Sequence, residues 1–541
     1  MLHLFRKGLS LKNVRKFSLI TSPRKQAEFE QLLMNSLRTV SDPLLSNLQR
    51  APDIVSQGLV SRIDIDEHQQ VVDINIVLPT AAHFGRDELK ERCSNATINA
   101  LPWVKNTNIN FTQTIPQYIS AAKPGLRVST GVKTKEATPP ALKNVGAVIA
   151  VASCKGGVGK STVASNLAWA IAERGGRVGL LDLDVYGPSL PTLLENAVEK
   201  SENGRPIVKR SREHEGMILP IQCHGGVSAM SFGWVNPKAG VKGAGGTEAA
   251  VVRGPIASKV VTQLLLSTEW GHLDYLILDL PPGTGDVHLT VAQLLRLSGA
   301  VVVTTPSSLS HVDVLKGVAM YEQLKVPTLA VIENFAYLDL PSGDRIHPFG
   351  MPGRHKQSLQ EALPNCRDED LDGQLPISDI VRDCTENGET LIQRLKKTNN
   401  NGVEEEVRGN MKSEPAYVAF QEMADKVIRR VYEESCIAIK APSVIYNEKR
   451  GGFVVRWTEH MIDGDDAAQE VVISPHRLRY SDPSTGSKLP NTPGGSSEED
   501  SVIPLSVDVR GNYALHIKWS DGFEHAFFTY DAILTIAHED A

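Results

Sequence analysis

A glycine-rich segment with two lysines, residues 154–162, carries the clearest chemistry in this chain. It follows an apolar run typical of a strand and precedes apolar residues at helical spacing, which is the setting in which such a segment binds phosphate. Glycines let the backbone N–H groups curl around phosphate oxygens, because only glycine adopts the required φ values at low cost. The segment therefore predicts a nucleotide-phosphate site made by Gly156, Gly157, Val158, Gly159, Lys160, Ser161 and Thr162.

Two side chains of this P-loop have specific tasks in such a site. Lys160 would reach the β- and γ-phosphates, and the Ser161 hydroxyl would hold Mg²⁺. The positive end of the following helix would add to the field that attracts the phosphates. A second lysine, Lys155, stands before the glycines and indicates one subclass of P-loop proteins, whose members usually work as dimers.

Two aspartates that end predicted strands support the same site. Asp184 follows the run Leu180-Leu181-Asp182-Leu183, and Asp279 follows Leu276-Ile277-Leu278. Ligands of an open α/β sheet bind at the carboxyl ends of its strands, so both carboxylates should face the nucleotide. Asp279 suits an outer-sphere contact with Mg²⁺, and Asp184 suits positioning or activating the attacking water.

The elements that must position these residues alternate between strands and helices through residues 145–436. Continuous apolar runs at 145–152, 178–183, 275–280, 300–304 and 328–332 are typical of strands buried on both faces. Helical patterns between them predict a parallel sheet with right-handed crossovers. The fold class is therefore α/β, with a mostly parallel-sheet P-loop NTPase core.

Smaller units are predicted on either side of this core. Residues 28–118 have the pattern of a small α+β domain, and residues 119–144, with several prolines and lysines, have that of a linker. Residues 440–541 predict a small β-rich domain, in which the Ser-, Gly- and Pro-rich stretch 484–501 would be a long loop. Polar stretches at 199–215 and 396–414 are expected to be surface insertions in the central domain.

Composition and charge exclude several classes of protein. A chain of 541 residues with a net charge of −6 gives no reason to expect nucleic acid as the main partner, and it has no apolar run that could span a membrane. Six cysteines that lie far apart and form no Cys-x-x-Cys pair argue against a secreted disulfide framework and against a self-contained zinc ribbon. Residues 1–27 are basic, amphipathic and free of acidic residues, which is typical of an organelle transit peptide. We expect the mitochondrial matrix, with the plastid stroma as the alternative.

The central motifs resemble a known family. Residues 154–162, the run Asp182–Ser189 (DLDVYGPS), the run 274–290 and the pair Glu333-Asn334 are similar to the Mrp-type subclass of deviant-Walker P-loop ATPases. Better-studied members are iron–sulfur cluster scaffolds or carriers. The resemblance implies ATP and Mg²⁺ as cofactors, slow ATPase activity, a homodimer in which Lys155 reaches the partner's nucleotide, and iron–sulfur client apoproteins and assembly factors as partners. It also implies that Asn334 contacts the adenine; on the sequence alone, Asn334 could equally be a turn residue.

The outer segments extend this resemblance. Residues 28–118 are similar to the MIP18-like domain, and residues 445–541 to the domain of unknown function 971 family, most clearly at Trp519-Ser520-Asp521-Gly522. The three-part order resembles the plastid form of the family, which delivers [4Fe–4S] clusters to other proteins.

The thiols depart from the family pattern. The stretch directly after Glu333-Asn334, residues 335–343, contains no cysteine, and His83 stands where the first domain of relatives often carries a reactive cysteine. Cys384 and Cys366 are the favoured candidates for cluster ligands among the remaining thiols, and His83 is expected to be an ordinary, partly exposed histidine. Two functions stay open beside a cluster carrier: a nucleotide-gated adaptor that binds clients without carrying a cluster, and a positioning ATPase similar to MinD, against which the acidic C-terminus argues.

Overall fold

A computed structural model of the chain describes most of the three predicted units. The described residues are 23–47, 53–113, 140–202, 204, 206–236, 254–363, 366–371, 373–400, 413–437, 443–447, 450–459, 467–481, 502–510, 514–522 and 526–540. Residues 1–22 of the predicted transit peptide, residues 119–139 of the predicted linker and the whole predicted loop 484–501 lie outside them.

The N-terminal domain packs two helices on a three-stranded sheet. Strand β2 pairs antiparallel with β1 and parallel with β3. Every second residue of β2 is buried, which gives the sheet one face toward the helices and one toward solvent. The elements are helix Pro23–Leu37, β1 Val60–Asp66, β2 Val71–Leu78, helix Arg86–Ala100 and β3 Asn106–Gln113, with a 3₁₀ turn at Pro43–Leu45.

The central domain is built on a nine-stranded sheet with the order β11-β10-β9-β4-β8-β5-β7-β6, in which β12 also pairs with β10. The β6–β7 and β10–β11 pairs are antiparallel, and the other pairs are parallel. The strands are β4 Val145–Ala152, β5 Val178–Asp182, β6 Ile221–Gln222, β7 Val227–Ser231, β8 Leu273–Asp279, β9 Gly299–Thr304, β10 Thr328–Asp339, β11 Arg345–Ile346 and β12 Gly373–Pro376.

Helices cover both faces of this sheet and, beside a smaller apolar core around Val302 and Cys366, create two large ones. One core surrounds the fully buried Trp169 of the P-loop helix, and the other lies on the opposite face around Leu276 and Leu278 of β8. Burial on both faces explains why the central strands are uninterrupted apolar runs. The helices are Lys160–Glu173, Leu190–Leu193, Phe232–Val235, Gly254–Ser267, Asp286–Leu294, Ser308–Gln323, Lys356–Ala362, Asp379–Glu386, Leu391–Asn400 and Pro415–Ile437, with 3₁₀ turns at Pro140–Leu142 and Asp368–Asp370.

The C-terminal domain combines two three-stranded antiparallel sheets with two helices. Trp519 is fully buried between the sheets and contacts the rings of Phe453 and Phe528. The elements are β13 Ser443–Asn447, β14 Gly452–Glu459, β15 Ala467–Ile473, helix Pro475–Tyr480, β16 Pro504–Arg510, β17 Ala514–Trp519, β18 Ala526–Thr529 and helix Tyr530–Asp540. No helix in the described part of the chain is long and apolar enough to cross a membrane.

The loop after β2 joins the N-terminal domain to the central one. Ala82 packs in the core around Trp169, and the Tyr275 hydroxyl donates a hydrogen bond to Thr80 Oγ1 at 2.9 Å. His83 Nε2 lies 3.0 Å from Asp42 Oδ1, and both side chains are fully buried. The expectation that His83 is partly exposed is therefore wrong, because the docking of two domains buries its loop.

The α/β prediction with a mostly parallel core is confirmed, and the five predicted central strands are present. The sequence missed β6, β7, β11 and β12 in the central domain and β13, β15, β16 and both helices in the C-terminal one. Several of these strands are short, and β7 is the mixed sequence Val-Ser-Ala-Met-Ser. Such segments become strands through their neighbours rather than through their own pattern.

Candidate nucleotide site

The P-loop connects β4 to the helix Lys160–Glu173 at the carboxyl end of the sheet. Gly157 and Gly159 have φ values of +79° and +81°, the left-handed region that favours glycine. A side chain at Gly159 would also overlap the amide of Asn334. The Ser153 hydroxyl donates to the Lys155 carbonyl at 3.0 Å and holds the start of the loop. Gly157 is thus favoured by the backbone conformation alone, and Gly159 by both the backbone conformation and close packing.

Lys160 is buried and forms an ion pair with Asp279 at the end of β8. Its Nζ lies 3.3 Å from Ser161 Oγ. Asp279 is fully buried, and its Oδ2 has no hydrogen-bond partner among the described residues. A carboxylate oxygen and a serine hydroxyl beside a lysine are the donor set that Mg²⁺ and phosphate use, so these residues fit Mg²⁺ and a nucleotide.

Asp182 is a third carboxylate at the carboxyl end of the central sheet. The sequence reasoning did not select it. Its Oδ2 accepts hydrogen bonds from Ser189 N at 3.0 Å, Leu190 N at 3.2 Å and Ser231 Oγ at 3.0 Å, and its Oδ1 accepts one from Asp184 N at 3.0 Å. Burial, with the charge of Asp279 beside it, raises the pKa of Asp182 to about 7. Its place as the last residue of a wholly apolar strand was the signal that could have found it.

Asp184 begins the loop that follows β5 and is only partly buried. Its Oδ1 accepts a hydrogen bond from Gly187 N at 3.1 Å. Desolvation by burial is the main cause that raises the pKa of this carboxyl, and Asp279 adds to it. The side chain predicted to orient water therefore lies near Lys160 and Asp279, at the edge where phosphate chemistry would occur.

Lys155 differs from Lys160 in its surroundings. Lys155 is exposed, and its side chain makes no ion pair or hydrogen bond with any residue that the structure describes. An unengaged cation at the rim of the loop can reach outward from the subunit. This placement is compatible with the expected contact to a partner's nucleotide, which stays a prediction.

Asn334 lies within β10 rather than in a turn, so the interpretation as a turn residue is wrong. Its Nδ2 donates to the Val158 carbonyl of the P-loop at 2.9 Å. The next residue, Phe335, has a φ of +58°, a conformation that is uncommon for a bulky side chain. The strand is thus irregular at the point where it contacts the P-loop, and its pairing with β12 shifts register between Glu333 and Tyr337. The structure brings Asn334 to the loop, and its contact with adenine stays a prediction.

The two cysteines favoured as cluster ligands lie in the interior and in different cores. Cys366 Sγ donates to the Thr328 carbonyl at 3.3 Å, and burial raises its pKa to about 12. Cys384 is 1% exposed and belongs to the core around the P-loop helix. Cluster ligation needs thiolates, which these surroundings disfavour. The one group of three or more metal-ligating side chains in the described residues is Glu213, His214 and Glu269, which contains no thiol.

Comparisons with known proteins agree with this geometry. The family described as ParA, NUBPL iron-transfer P-loop NTPase, matches residues 144–411. The chain is 35% identical over 479 residues to the chloroplastic Fe-S cluster assembly factor HCF101 of Oryza sativa subsp. japonica, a match that covers 87% of this chain and 77% of the relative. The chloroplastic HCF101 of Arabidopsis thaliana is 32% identical over 509 residues, covering 91% and 80%.

A bacterial relative matches a shorter part of the chain. The iron-sulfur cluster carrier protein of Escherichia coli (strain K12) is 36% identical over 328 residues, 59% of this chain and 77% of the relative. The P-loop, the carboxylates that end β5 and β8, and the similarity to HCF101 over most of both chains lead to one conclusion. This chain belongs to the family of NUBPL iron-transfer P-loop NTPases.

Proposed function

We propose that this protein is an ATP-binding and ATP-hydrolysing factor that assists the assembly of [4Fe–4S] proteins. One observation carries the proposal: Lys160, Ser161 and Asp279 meet at the carboxyl end of a mostly parallel sheet, and Asp279 Oδ2 has no hydrogen-bond partner in the described part of the chain. That arrangement supports Mg²⁺–ATP as the bound nucleotide. Relatives named for iron–sulfur cluster assembly and carriage support the proposal that ATP binding and hydrolysis serve the assembly of iron–sulfur proteins. They also support iron–sulfur apoproteins as the clients.

The chain's own residues divide the work of hydrolysis. Ser161 and Asp279 would hold Mg²⁺, which neutralises phosphate charge when bound. Lys160 would bind the β- and γ-phosphates once it leaves Asp279, and Asp184 would orient the attacking water. Lys155 of a second copy would stabilise the charge that develops on the transferred phosphoryl group. ATP would therefore close a homodimer, and hydrolysis would reopen it.

The cluster is the cargo of this cycle, and the carrier form of the proposal requires thiolate ligands. A second candidate function is the adaptor that binds clients through its nucleotide cycle without carrying a cluster. The burial of Cys366 and Cys384 in separate cores favours this adaptor, because neither thiol can reach a surface cluster without a local opening.

Anaerobic reconstitution with iron and sulfide separates the two functions. For the carrier we expect acid-labile sulfide and visible charge-transfer absorbance in the dimer, and Cys366→Ser or Cys384→Ser should reduce both. For the adaptor we expect iron and sulfide at background, together with ATP-dependent binding of an apoprotein client. If ATP changes neither cluster content nor client binding, the assembly function itself is wrong.

The relatives, together with the basic N-terminal residues, support a subcellular location for this protein. The two HCF101 relatives, which match 87% and 91% of this chain, are chloroplastic, and this favours the plastid stroma over the mitochondrial matrix. The basic residues 1–27 would then act as a plastid transit peptide. Import of the full chain into isolated chloroplasts and mitochondria tests this directly. Uptake by mitochondria alone would instead support the mitochondrial matrix, as the sequence analysis expected.

A further inference from the structure

His288 makes two hydrogen bonds from a fully enclosed position beside the nucleotide site. The residue is 2% exposed, Nε2 lies 2.9 Å from the Pro281 carbonyl oxygen, and Nδ1 lies 3.1 Å from the Tyr321 hydroxyl. A carbonyl can only accept, so Nε2 carries the proton. Nδ1 of the neutral ring then accepts from the Tyr321 hydroxyl. Burial lowers the pKa of His288 to about 4, so this single tautomer persists at neutral pH.

The carbonyl held by His288 belongs to the segment that follows Asp279. In this segment Pro281 and Pro282 have no N–H, so their peptide groups cannot be fixed by donation. Gly283 has a φ of +98°, and its N–H donates to the Ser153 carbonyl at the start of the P-loop at 2.7 Å. The orientation of the Pro281 carbonyl therefore influences how the segment meets the P-loop.

Tyr321 anchors this contact in the helix Ser308–Gln323. It is fully buried, and one turn earlier in the same helix Gly317 packs against the Cys154 side chain of the P-loop, where any larger residue would overlap the sulfur. One helix thus contacts both the P-loop and, through His288, the segment after Asp279. The P-loop and the segment after Asp279 must both respond to the γ-phosphate, and this one helix supports both of them.

We propose that His288 is a positioning residue for ATP turnover, which holds the segment 281–285 in the orientation that hydrolysis requires. The inference rests on the proposed ATPase function and adds a residue that does not itself contact nucleotide. The proposed effect depends on one hydrogen bond, which the Nε2–H group of His288 donates to the Pro281 carbonyl. A side chain that keeps this donor should therefore preserve turnover, whereas an apolar side chain of similar size should not.

The experiment compares His288→Leu, His288→Gln and Tyr321→Phe in the full chain. A misplaced segment should lower kcat of His288→Leu about 10- to 100-fold with KM for ATP within about 3-fold of wild type. Glutamine places an amide donor near the position of Nε2 and should recover most of kcat. Tyr321→Phe removes the donor to Nδ1 and should give an intermediate value. His83→Gln alters an equally buried histidine in the other domain and serves as the control for general destabilisation.

Three results would overturn the inference: wild-type kcat in His288→Leu, equal impairment of His288→Gln and His288→Leu, or a fall in kcat matched by His83→Gln. Hydrogen exchange separates this failure from failure of the ATPase proposal. If wild type binds ATP without turnover, the proposed function fails. His288 is then judged by ATP-induced protection of residues 281–294, which His288→Leu should lose and His288→Gln should keep. Equal protection in all three proteins contradicts the positioning role.

Discussion

Asp182 and Asp279 lie opposite one another at the ends of the neighbouring parallel strands β5 and β8. Both are fully buried, and Lys160 pairs with Asp279. Two carboxylates and one ammonium group at one buried edge leave an excess of negative charge, which desolvation makes costly. The site is therefore suited to additional positive charge, and its protonation state should depend on pH.

The stability of the protein should depend on pH because Asp182 gains or loses its proton. Its pKa is raised from 3.8 to about 7, so between these values the native state keeps a proton that the unfolded chain has released. Stability should fall as pH rises through this window and level off above it. Asp182→Asn should flatten that slope, whereas Asp344→Asn in an exposed loop should leave it unchanged. Urea unfolding at several pH values measures the slopes, and identical slopes for wild type and Asp182→Asn would contradict the assignment.

Lys160→Ala should abolish nucleotide binding. The change removes the phosphate ligand and leaves Asp279 buried without its partner. We expect the affinity to fall about 100-fold or more, because Lys160 would bond both the β- and γ-phosphates and each hydrogen bond to a charged group contributes about 1.5–3 kcal/mol. Titration with a fluorescent ATP analogue measures it, and Lys316→Ala, an exposed lysine paired with Asp313, is the control. Unchanged affinity would remove the basis for the nucleotide site.

Lys155→Ala should spare ATP binding and lower turnover about 100-fold or more, as expected for a cation supplied in trans. The measurement is kcat together with ATP affinity of the same preparation. Mixing Lys155→Ala with Lys160→Ala subunits should restore part of the activity. In such a pair, the first subunit binds ATP and the second supplies Lys155. Full activity of Lys155→Ala alone would show that the lysine has no role in turnover.

Gly159→Ala should damage the P-loop more than backbone strain alone predicts. Alanine at a positive φ costs about 1–2 kcal/mol, and here its methyl group would also overlap the Asn334 amide. Gly343→Ala is a matched control, since Gly343 has a φ of +90° and open space around it. ATP affinity and thermal unfolding of both variants separate strain from overlap. Equal effects of the two variants would mean that the contact with Asn334 is unimportant.

The sequence by itself determined the parts of this protein that depend on neighbouring residues. Residues 154–162 indicate a phosphate loop because the glycines, the lysines and the flanking strand and helix patterns are continuous in the chain. The central strands are recognisable because burial on both faces demands uninterrupted apolar residues. Asp279 was found for the same reason, as the polar residue that ends such a run.

Only the tertiary structure decided which distant residues share an environment. The pairing of β5 with β8 makes Asp182 a neighbour of Asp279, and the position of β10 in the sheet brings Asn334 to Val158. The docking of the N-terminal domain buries His83 on Asp42. Burial of a thiol or an imidazole depends on packing between segments far apart in sequence, and that packing leaves no periodic signal at the residue itself.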